Sequence, residues 1–355
     1  MTRLRRRIVS ALVLLGLAAV PAPARPQDKT AGLFQKGIAF TGYAKDAYDG
    51  GGARQALREL AAANAEWVQI LVTGYQATRR STVIDRTGEE TPADASLAAI
   101  IGFAKELGLK VFLKPHIDLR EEPAGWRGEI GQGFTEADWA AWFASYREFI
   151  VHYAAMAEAL GAEMFSAGCE LDRTVGREAD WRATIAAVRA AYRGLLTYAD
   201  DQAESDSEAV RWWDAVDLIG LDAYPTLTDN PHPSVRDFRA GWNRYLQSLH
   251  EISRRWGKNI VVTEIGYRSI QGGAQDPWNW QKEGPVDLEV QANAYQAGLQ
   301  ALLGRGWIQG VYWWQWMPDP ENGGPKDTGY SPHGKPAERV LAAFYRDAAP
   351  VHPNF

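Results

Sequence analysis

The stretch Val261-Val262-Thr263-Glu264-Ile265-Gly266-Tyr267 determines how the rest of this chain is interpreted. An apolar, β-branched run ends in a carboxylate, and a glycine and an aromatic residue follow it. Such runs are typical of strands buried on both faces of a parallel sheet. The stretch 162–171 has the same character and carries Glu170 near its end. The two glutamates lie 94 positions apart (264 − 170), so we expect acids from two different strands to converge on one pocket.

Eight apolar runs of this kind alternate with segments of helical periodicity. The predicted strands are 37–40, 67–72, 110–114, 163–168, 194–198, 216–221, the strand that holds Glu264, and 310–316. The predicted helices are 53–63, 94–107, one capped by Thr135 that runs to 160, 178–192, a short one near 207–213, one capped by Ser234 that runs to 256, 288–303 and 336–345. Right-handed crossovers close such a series into a barrel. We therefore predict an α/β chain folded as a single (β/α)8 barrel, the TIM barrel.

A doubly wound open sheet is the alternative fold. That fold usually carries a glycine-rich phosphate-binding loop directly after its first strand. In this chain Thr41-Gly42-Tyr43-Ala44 follows the first predicted strand, and the run Gly50-Gly51-Gly52 comes later without the required spacing. The missing loop favours the barrel.

The first 24 residues have the pattern of a targeting segment. Arginines at positions 3, 5, 6 and 7 precede an apolar run of 13 residues, Ile8 to Val20 (20 − 8 + 1), which is too short to span a bilayer as a helix. Ala22-Pro23-Ala24 then offers small residues for cleavage. We predict a signal peptide at 1–24, one barrel domain at 25–355, and export to the periplasm or the medium. The alternative is an uncleaved membrane anchor.

Composition limits the partners of the exported domain. Removing four arginines leaves 34 basic residues (38 − 4) against 44 acidic residues, a net charge of −10 (34 − 44). No basic cluster remains in the sequence, which argues against nucleic acid or an anionic membrane as a partner. Cys169 is the one cysteine, so no internal disulfide forms, and the six scattered histidines show no metal-ligand spacing. We expect a monomer with no metal and no organic cofactor.

Polar and aromatic residues collect at the predicted strand ends, where barrels carry their active sites. These residues are His116, Asp118, Glu170, Asp172, Tyr198, Asp200, Asp201, Asp222, Tyr224, Glu264, Tyr267, Trp314 and Trp316. The chain also contains 15 tryptophans and 14 tyrosines, whose flat faces suit either stacking on sugar rings or ordinary core packing. The predicted mouth of the barrel is thus acidic and aromatic.

Two carboxylates that face each other across a sugar are what cleavage of a glycosidic bond requires. One must be protonated to give a proton to the departing oxygen, and the other must be ionised to attack the anomeric carbon. Glu170 and Glu264, on predicted strands four and seven, fit these two roles. Each glutamate could instead pair with a lysine or arginine. Cys169 as a thiol nucleophile is disfavoured because no histidine base stands near it in the sequence.

Five motifs resemble those of glycoside hydrolase family 113, a family of β-mannanases that act with retention, within the large clan of retaining barrel glycosidases. The motifs are Leu113–Asp118, Phe165–Leu171, Leu221–Pro225, Val262–Tyr267 and Gly310–Trp314, and the likeness covers nearly all of residues 34 to 347. The resemblance implies that Glu170 is the acid/base and Glu264 the nucleophile. It also implies that Lys114, His116, Tyr224 and Trp314 line the subsite of the attacked sugar. Together with the strand-end residues, the predicted substrate-binding set is Lys114, His116, Asp118, Tyr198, Asp222, Tyr224, Tyr267, Trp314 and Trp316.

One position departs from the wider clan, where an asparagine that binds the sugar 2-hydroxyl often precedes the acid/base. Here that residue is Cys169, a poor hydrogen-bonding partner. The resemblance implies an endo-acting β-1,4-mannanase on mannan or glucomannan. Because of Cys169, however, no contact identified in the sequence distinguishes mannose from glucose. A β-1,4-glucanase, a transglycosylase with the same acid pair, a non-catalytic carbohydrate-binding barrel and an interaction module remain as alternatives.

Overall fold

The structure is a computed structural model that describes residues 34–201 and 209–347. Eight parallel strands close into one barrel in chain order, and β1 pairs with both β2 and β8. The strands are β1 (Gln35–Phe40), β2 (Trp67–Gln76), β3 (Lys110–Leu119), β4 (Met164–Cys169), β5 (Leu195–Asp201), β6 (Ile219–Asp222), β7 (Ile260–Ile265) and β8 (Ile308–Trp316). The predicted (β/α)8 barrel is therefore confirmed, whereas residues 1–24 of the predicted signal peptide lie outside the described residues.

Helices surround the strands. They are α1 (Gly50–Ala62), α2 (Asp94–Glu106), α3 (Glu136–Leu160), the short α4 (Asp172–Val175), α5 (Glu178–Ala191), α6 (Val235–Trp256), α7 (Leu288–Leu302) and α8 (Pro336–Asp347). Thr135 and Ser234 cap α3 and α6 as predicted, each in a capping box with the aspartate three residues later. Among the described residues, no helix has the length and apolar composition that crossing a membrane requires.

The short helix predicted near 207–213 is wrong in its described part. Residues 209–212 are not helical, and the described residues between β5 and β6, 209–218, contain only the 3-10 turn Trp213–Ala215. Trp212 and Trp213 are both fully buried.

Strand β3 is five residues longer than predicted and runs through Pro115 to Leu119. It pairs with β2 along its whole length but with β4 only at Phe112 and Leu113. Because this edge of β3 lacks a strand partner beyond Leu113, a proline without an N–H group is tolerated there. The extension places His116 and Asp118 within a regular strand at the mouth of the barrel.

Large side chains close the amino-terminal end of the barrel. Phe112 and Tyr312 meet edge to face with ring centroids 5.1 Å apart. They belong to a buried layer with one residue from each of seven strands or strand starts: Trp67, Phe112, Met164, Leu195, Leu218, Val261 and Tyr312. The interior at that end is packed solid, so the open end is the carboxyl end of the strands.

A cluster of aromatic side chains packs behind β4 and β5. Trp181 of α5 is fully buried and stacks on Trp212 with ring centroids 4.9 Å apart. Its ring edge also meets Tyr146 of α3 and Tyr198 of β5. The indole Nε1 donates a hydrogen bond of 2.9 Å to the carbonyl of Thr174. Trp181 thus joins two helices to the strands that precede and follow Glu170.

We expect Trp181→Ala to lower the free energy of unfolding by about 3–5 kcal/mol, because it leaves a large cavity among the aromatic side chains. Urea unfolding followed by fluorescence and circular dichroism measures this loss. Trp181→Phe keeps part of the packing and should lose clearly less. Equal loss in the two variants would show that the aromatic packing is not what stabilises this region.

Candidate active site

Glu170 follows β4 directly and has an unusual backbone conformation. Its φ of 49° lies in the left-handed region, which non-glycine residues rarely adopt. Two hydrogen bonds hold this turn: the Glu170 N–H donates to Ala199 O at 2.8 Å, and the Leu171 N–H donates to Tyr198 Oη at 2.9 Å. The Glu170 carboxylate is 15% exposed, and its Oε2 accepts a hydrogen bond from Arg127.

Glu264 lies on β7, where the pairing register shifts against both β6 and β8. Such irregularities re-aim a side chain and are common beside active sites. Oε1 accepts a hydrogen bond of 2.6 Å from Lys114 Nζ, and Oε2 accepts one of 3.0 Å from Tyr224 Oη. The Nε2 atom of His116 lies 3.5 Å from Oε1. These donors favour the ionised form of Glu264.

Lys114 is a fully buried ammonium between two carboxylates. It donates to Glu264 and, at 2.9 Å, to both oxygens of Asp222. Asp222 in turn accepts from Thr263 Oγ1 at 2.7 Å and from the Cys169 thiol at 3.3 Å. Burial opposes the charge on Lys114, but the neighbouring carboxylates raise its pKa above the usual value. Lys114 and Asp222 have no exposed surface, so they support Glu264 from below rather than face the cleft.

Arg127 is a site residue that sequence reasoning missed. It begins a 3-10 turn, Arg127–Glu129, in the loop between β3 and α3. Its guanidinium contacts Asp118, His116, Cys169 and Glu170. The residue stands eight positions beyond the end of β3 (127 − 119), and no periodicity or motif in that loop marked it.

The two glutamates have different electrostatic surroundings. Burial raises the pKa of Glu170 well above its usual range; Arg127 opposes this, and the carboxylates of Asp222, Glu264 and Asp201 add to it. Burial and Asp222 raise the pKa of Glu264 to about 7, while Lys114 and Arg127 limit the rise. Lys114 and Tyr224 donate to both oxygens of Glu264, whereas Arg127 is the hydrogen-bond donor that Glu170 has, so the geometry favours an ionised Glu264 beside a protonated Glu170. One protonated and one ionised carboxyl group is the arrangement that cleavage of a glycosidic bond requires.

Four predicted substrate-binding residues lie around the two glutamates, and two of them, Trp314 and Asp118, are partly exposed. Tyr224 and His116 lie against Glu264. The indole of Trp314 is partly exposed and parallel to the His116 ring, with centroids 6.3 Å apart. Asp118 is one-third exposed and accepts from Arg127 at 2.9 Å. Burial, Arg127 and Lys114 lower the pKa of His116 well below its usual value, so this ring is neutral.

Besides Lys114 and Asp222, three predicted substrate-binding residues do not reach the cleft. Tyr198 is fully buried among Trp181 and Trp212, because on β5 its neighbours Thr197 and Ala199 take the inward positions and Tyr198 points to the helices. Tyr267 is also fully buried and packs its ring edge against Phe238 of α6. Trp316 is 1% exposed and packs against the His333 ring. These three residues were assigned to the cleft because they lie near strand ends. That criterion does not consider which face of the strand each side chain occupies.

Two groups of side chains have the composition of metal ligands. In His116, Cys169 and Glu264, and again in Cys169, Glu170 and Asp222, the ligand atoms lie within 4.8 Å of one another. The carboxylates already have cationic partners, because Lys114 binds Glu264 and Asp222 while Arg127 binds Glu170. Burial raises the pKa of the Cys169 thiol well above its usual value. A protonated thiol between two cations is a poor metal ligand.

Replacement of Tyr198 distinguishes its observed position from the predicted sugar contact. In Tyr198→Phe the buried N–H of Leu171 loses its acceptor, so we expect the free energy of unfolding to fall by about 1–3 kcal/mol. The Michaelis constant should stay within twofold of the wild-type value, because the ring faces the helices. A large rise in the Michaelis constant without loss of stability would show instead that Tyr198 contacts the sugar.

The chain is similar over most of its length to proteins of known structure. The sequence profile of Glycoside Hydrolase Family 113 matches residues 39–335. A family 113 β-1,4-mannanase shares 33% identity and superposes with a TM-score of 0.79, covering 89% of this chain and 99% of that one. A family 113 β-mannanase from Alicyclobacillus acidocaldarius, in complex with ManMIm, has the same identity and TM-score and covers 89% of this chain and 98% of its own.

More distant structures share the fold alone. A glycoside hydrolase family 5 mannosidase from Rhizomucor miehei is 10% identical, with a TM-score of 0.61 over 88% of this chain and 92% of its own. No curated protein sequence matches the chain. The family profile and the identity over nine-tenths of the length confirm the resemblance drawn from the five motifs, and the chain belongs to glycoside hydrolase family 113.

Proposed function

We propose that the protein is a retaining endo-β-1,4-mannanase that cleaves mannan or glucomannan. The observation that carries the proposal is the pair of glutamates with different hydrogen-bond partners, Glu170 beside Arg127 and Glu264 beside Lys114 and Tyr224. Each has a carboxylate oxygen within 4.8 Å of the Cys169 Sγ atom, so both belong to one cleft. The β-1,4-mannanases at 33% identity supply the substrate class.

Glu170 acts as the acid in the first step. It gives its proton to the glycosidic oxygen while a carboxylate oxygen of Glu264 attacks the anomeric carbon. The bond from that carbon to the departing sugar breaks, an ester bond to Glu264 forms, and Glu170 is left as a carboxylate. In the second step Glu170 takes a proton from water, whose oxygen attacks the anomeric carbon and releases Glu264.

The surroundings of Glu264 suit a nucleophile. Lys114 and Tyr224 each hold one carboxylate oxygen, so the attacking group is oriented before the sugar arrives. The neutral His116 points its Nε2 atom at Glu264 from 3.5 Å, and the partly exposed indole of Trp314, parallel to the His116 ring, offers an apolar floor for the attacked sugar. Cys169 points its thiol at Asp222, so specificity for mannose is assigned to the family likeness and not to this residue.

We further propose that the protein is exported as a monomer after removal of residues 1–24. The basic start, the apolar run of 13 residues and the Ala22-Pro23-Ala24 site support a cleavable signal. The acidic balance of the remaining chain argues for a neutral polysaccharide as partner rather than a nucleic acid.

The pH dependence of kcat/KM should be bell-shaped. Activity should rise as Glu264 ionises near pH 7 and fall at higher pH, where Glu170 loses the proton it must donate. Tyr224→Phe removes a donor to the ionised Glu264, so the acid limb should move up by about one pH unit. An acid limb that stays in place in this variant would show that Glu264 does not set it.

Sugar release from oligomers of mannan, glucomannan, cellulose and xylan tests the substrate and the roles together. Wild type should cleave mannan oligomers, and proton NMR should show the β-anomer first. Glu170→Ala and Glu264→Ala should each lose at least about 100-fold, the lower bound of what a positioned proton donor contributes. Azide should restore activity with retained configuration in Glu170→Ala and inverted configuration in Glu264→Ala, because it replaces a different group in each.

Glu178→Ala is the matched control, since Glu178 is a glutamate of α5 that pairs with Arg182 at the surface. It should keep wild-type rates. Cleavage of glucan oligomers alone would preserve the mechanism and overturn the substrate. Binding of mannan oligomers without cleavage by wild type would identify a carbohydrate-binding barrel instead.

A further inference from the structure

The β3–α3 loop delivers a guanidinium to the acid/base. Arg127 is 16% exposed, and its Nη1 lies 3.1 Å from Glu170 Oε2. The same Nη1 lies 3.3 Å from His116 Nδ1 and 3.6 Å from Cys169 Sγ. A guanidinium only donates, so Nδ1 is the acceptor and the proton of the neutral His116 ring is on Nε2, the atom that faces Glu264.

Asp118 holds the other side of the guanidinium. Its Oδ1 accepts from Arg127 Nη2 at 2.9 Å and from Nε at 3.2 Å. Two donors on one carboxylate fix the plane of the guanidinium, which a lysine in the same place could not do. Asp118, predicted from the sequence to bind the sugar, is thereby occupied by Arg127.

The loop itself is anchored from the neighbouring loop. Arg79, which follows β2, binds Glu122 at 3.1 Å and also Glu129, on the two sides of Arg127. The Gly131 N–H donates to the Arg79 carbonyl at 3.0 Å. Arg127 therefore reaches the site from a segment with fixed ends, as a positioning residue must.

We propose that Arg127 is a positioning residue for the acid/base, which fixes the Glu170 side chain by a charge-assisted hydrogen bond and stabilises the carboxylate that proton donation leaves behind. The inference rests on the proposed function. In the first step Glu170 loses its proton to the leaving oxygen, and the new negative charge forms 3.1 Å from the guanidinium. In the second step the same contact holds the carboxylate in place while it takes a proton from water.

Arg127 is one of several charged groups that face Glu170. Asp222 on β6, Glu264 on β7 and Asp201 on β5 disfavour its ionised form, and Arg127 favours it. Without the guanidinium, burial and three like charges would act unopposed. Glu170 would then hold its proton too tightly to release it to a sugar oxygen, a poor leaving group.

The test compares two substrates that differ in their need for an acid. In Arg127→Met, kcat/KM for a mannan oligomer should fall about 100-fold. For a dinitrophenyl β-mannobioside, whose leaving group departs without a proton, it should fall less than about tenfold. The alkaline limb of the pH profile for the oligomer should also move up by about one to three units, as expected when an opposite charge is removed.

Three further variants keep the test decisive. Arg127→Lys retains the positive charge but not the paired N–H donors of the guanidinium. The alkaline limb of its pH profile should therefore stay close to that of wild type, while kcat/KM for the oligomer falls. Asp118→Asn loosens Arg127 without touching Glu170, and should show the same dependence on leaving group at smaller size, even if Arg127→Met fails to fold. Arg120→Met, on the same loop but paired with Asp85 at the surface, is the control and should match wild type.

Equal losses on both substrates in Arg127→Met and Asp118→Asn would overturn the inference, because they would identify Arg127 as a sugar contact. An unmoved alkaline limb in Arg127→Met would overturn it as well. Failure of the proposed function is a separate result, since wild type would then cleave neither substrate.

Discussion

The buried ammonium of Lys114 joins two carboxylates from neighbouring strands, and the organisation of the site depends on it. Asp222 and Glu264 are almost entirely removed from water, and each would be costly to bury as an unpaired charge. Lys114 reaches both from β3, on another side of the barrel. Removing one member of such a set leaves an uncompensated charge, so the three residues act as a unit. Glu264 can remain ionised in a closed interior because of this unit.

The same barrel keeps the two glutamates in different states. Glu264 has strong donors on both carboxylate oxygens, whereas Glu170 has one guanidinium partner and faces several like charges. Environment rather than residue type therefore separates the acid from the nucleophile, as it must when both are glutamate. The carboxylates of Asp201, Asp222 and Glu264 at the barrel mouth supply the like charges.

Much of this arrangement follows from local patterns in the chain. The β-branched run before Glu264 predicts a buried strand because apolar residues on both faces need cover, and Thr135 and Ser234 predict helix starts because their side chains satisfy free N–H groups. Tyr198 and Trp316 show the limit of such reasoning. A strand end says that a residue is near the mouth, whereas strand alternation and packing decide whether it faces the sugar or the helices.

Arg127 could not be predicted for a different reason. Its position depends on the course of a loop, and that course is set by contacts with Arg79 from another loop. After Leu113 no strand pairing joins β3 to β4, and the guanidinium lies in the gap between them. It contacts His116 and Asp118 of β3 on one side, and Cys169 at the end of β4 and the following Glu170 on the other. A charged loop residue that lies in this gap, such as Arg127, can be replaced in evolution without the loss of a main-chain hydrogen bond of the sheet. The proton affinity of the acid/base can therefore drift with loop sequence while the barrel stays unchanged.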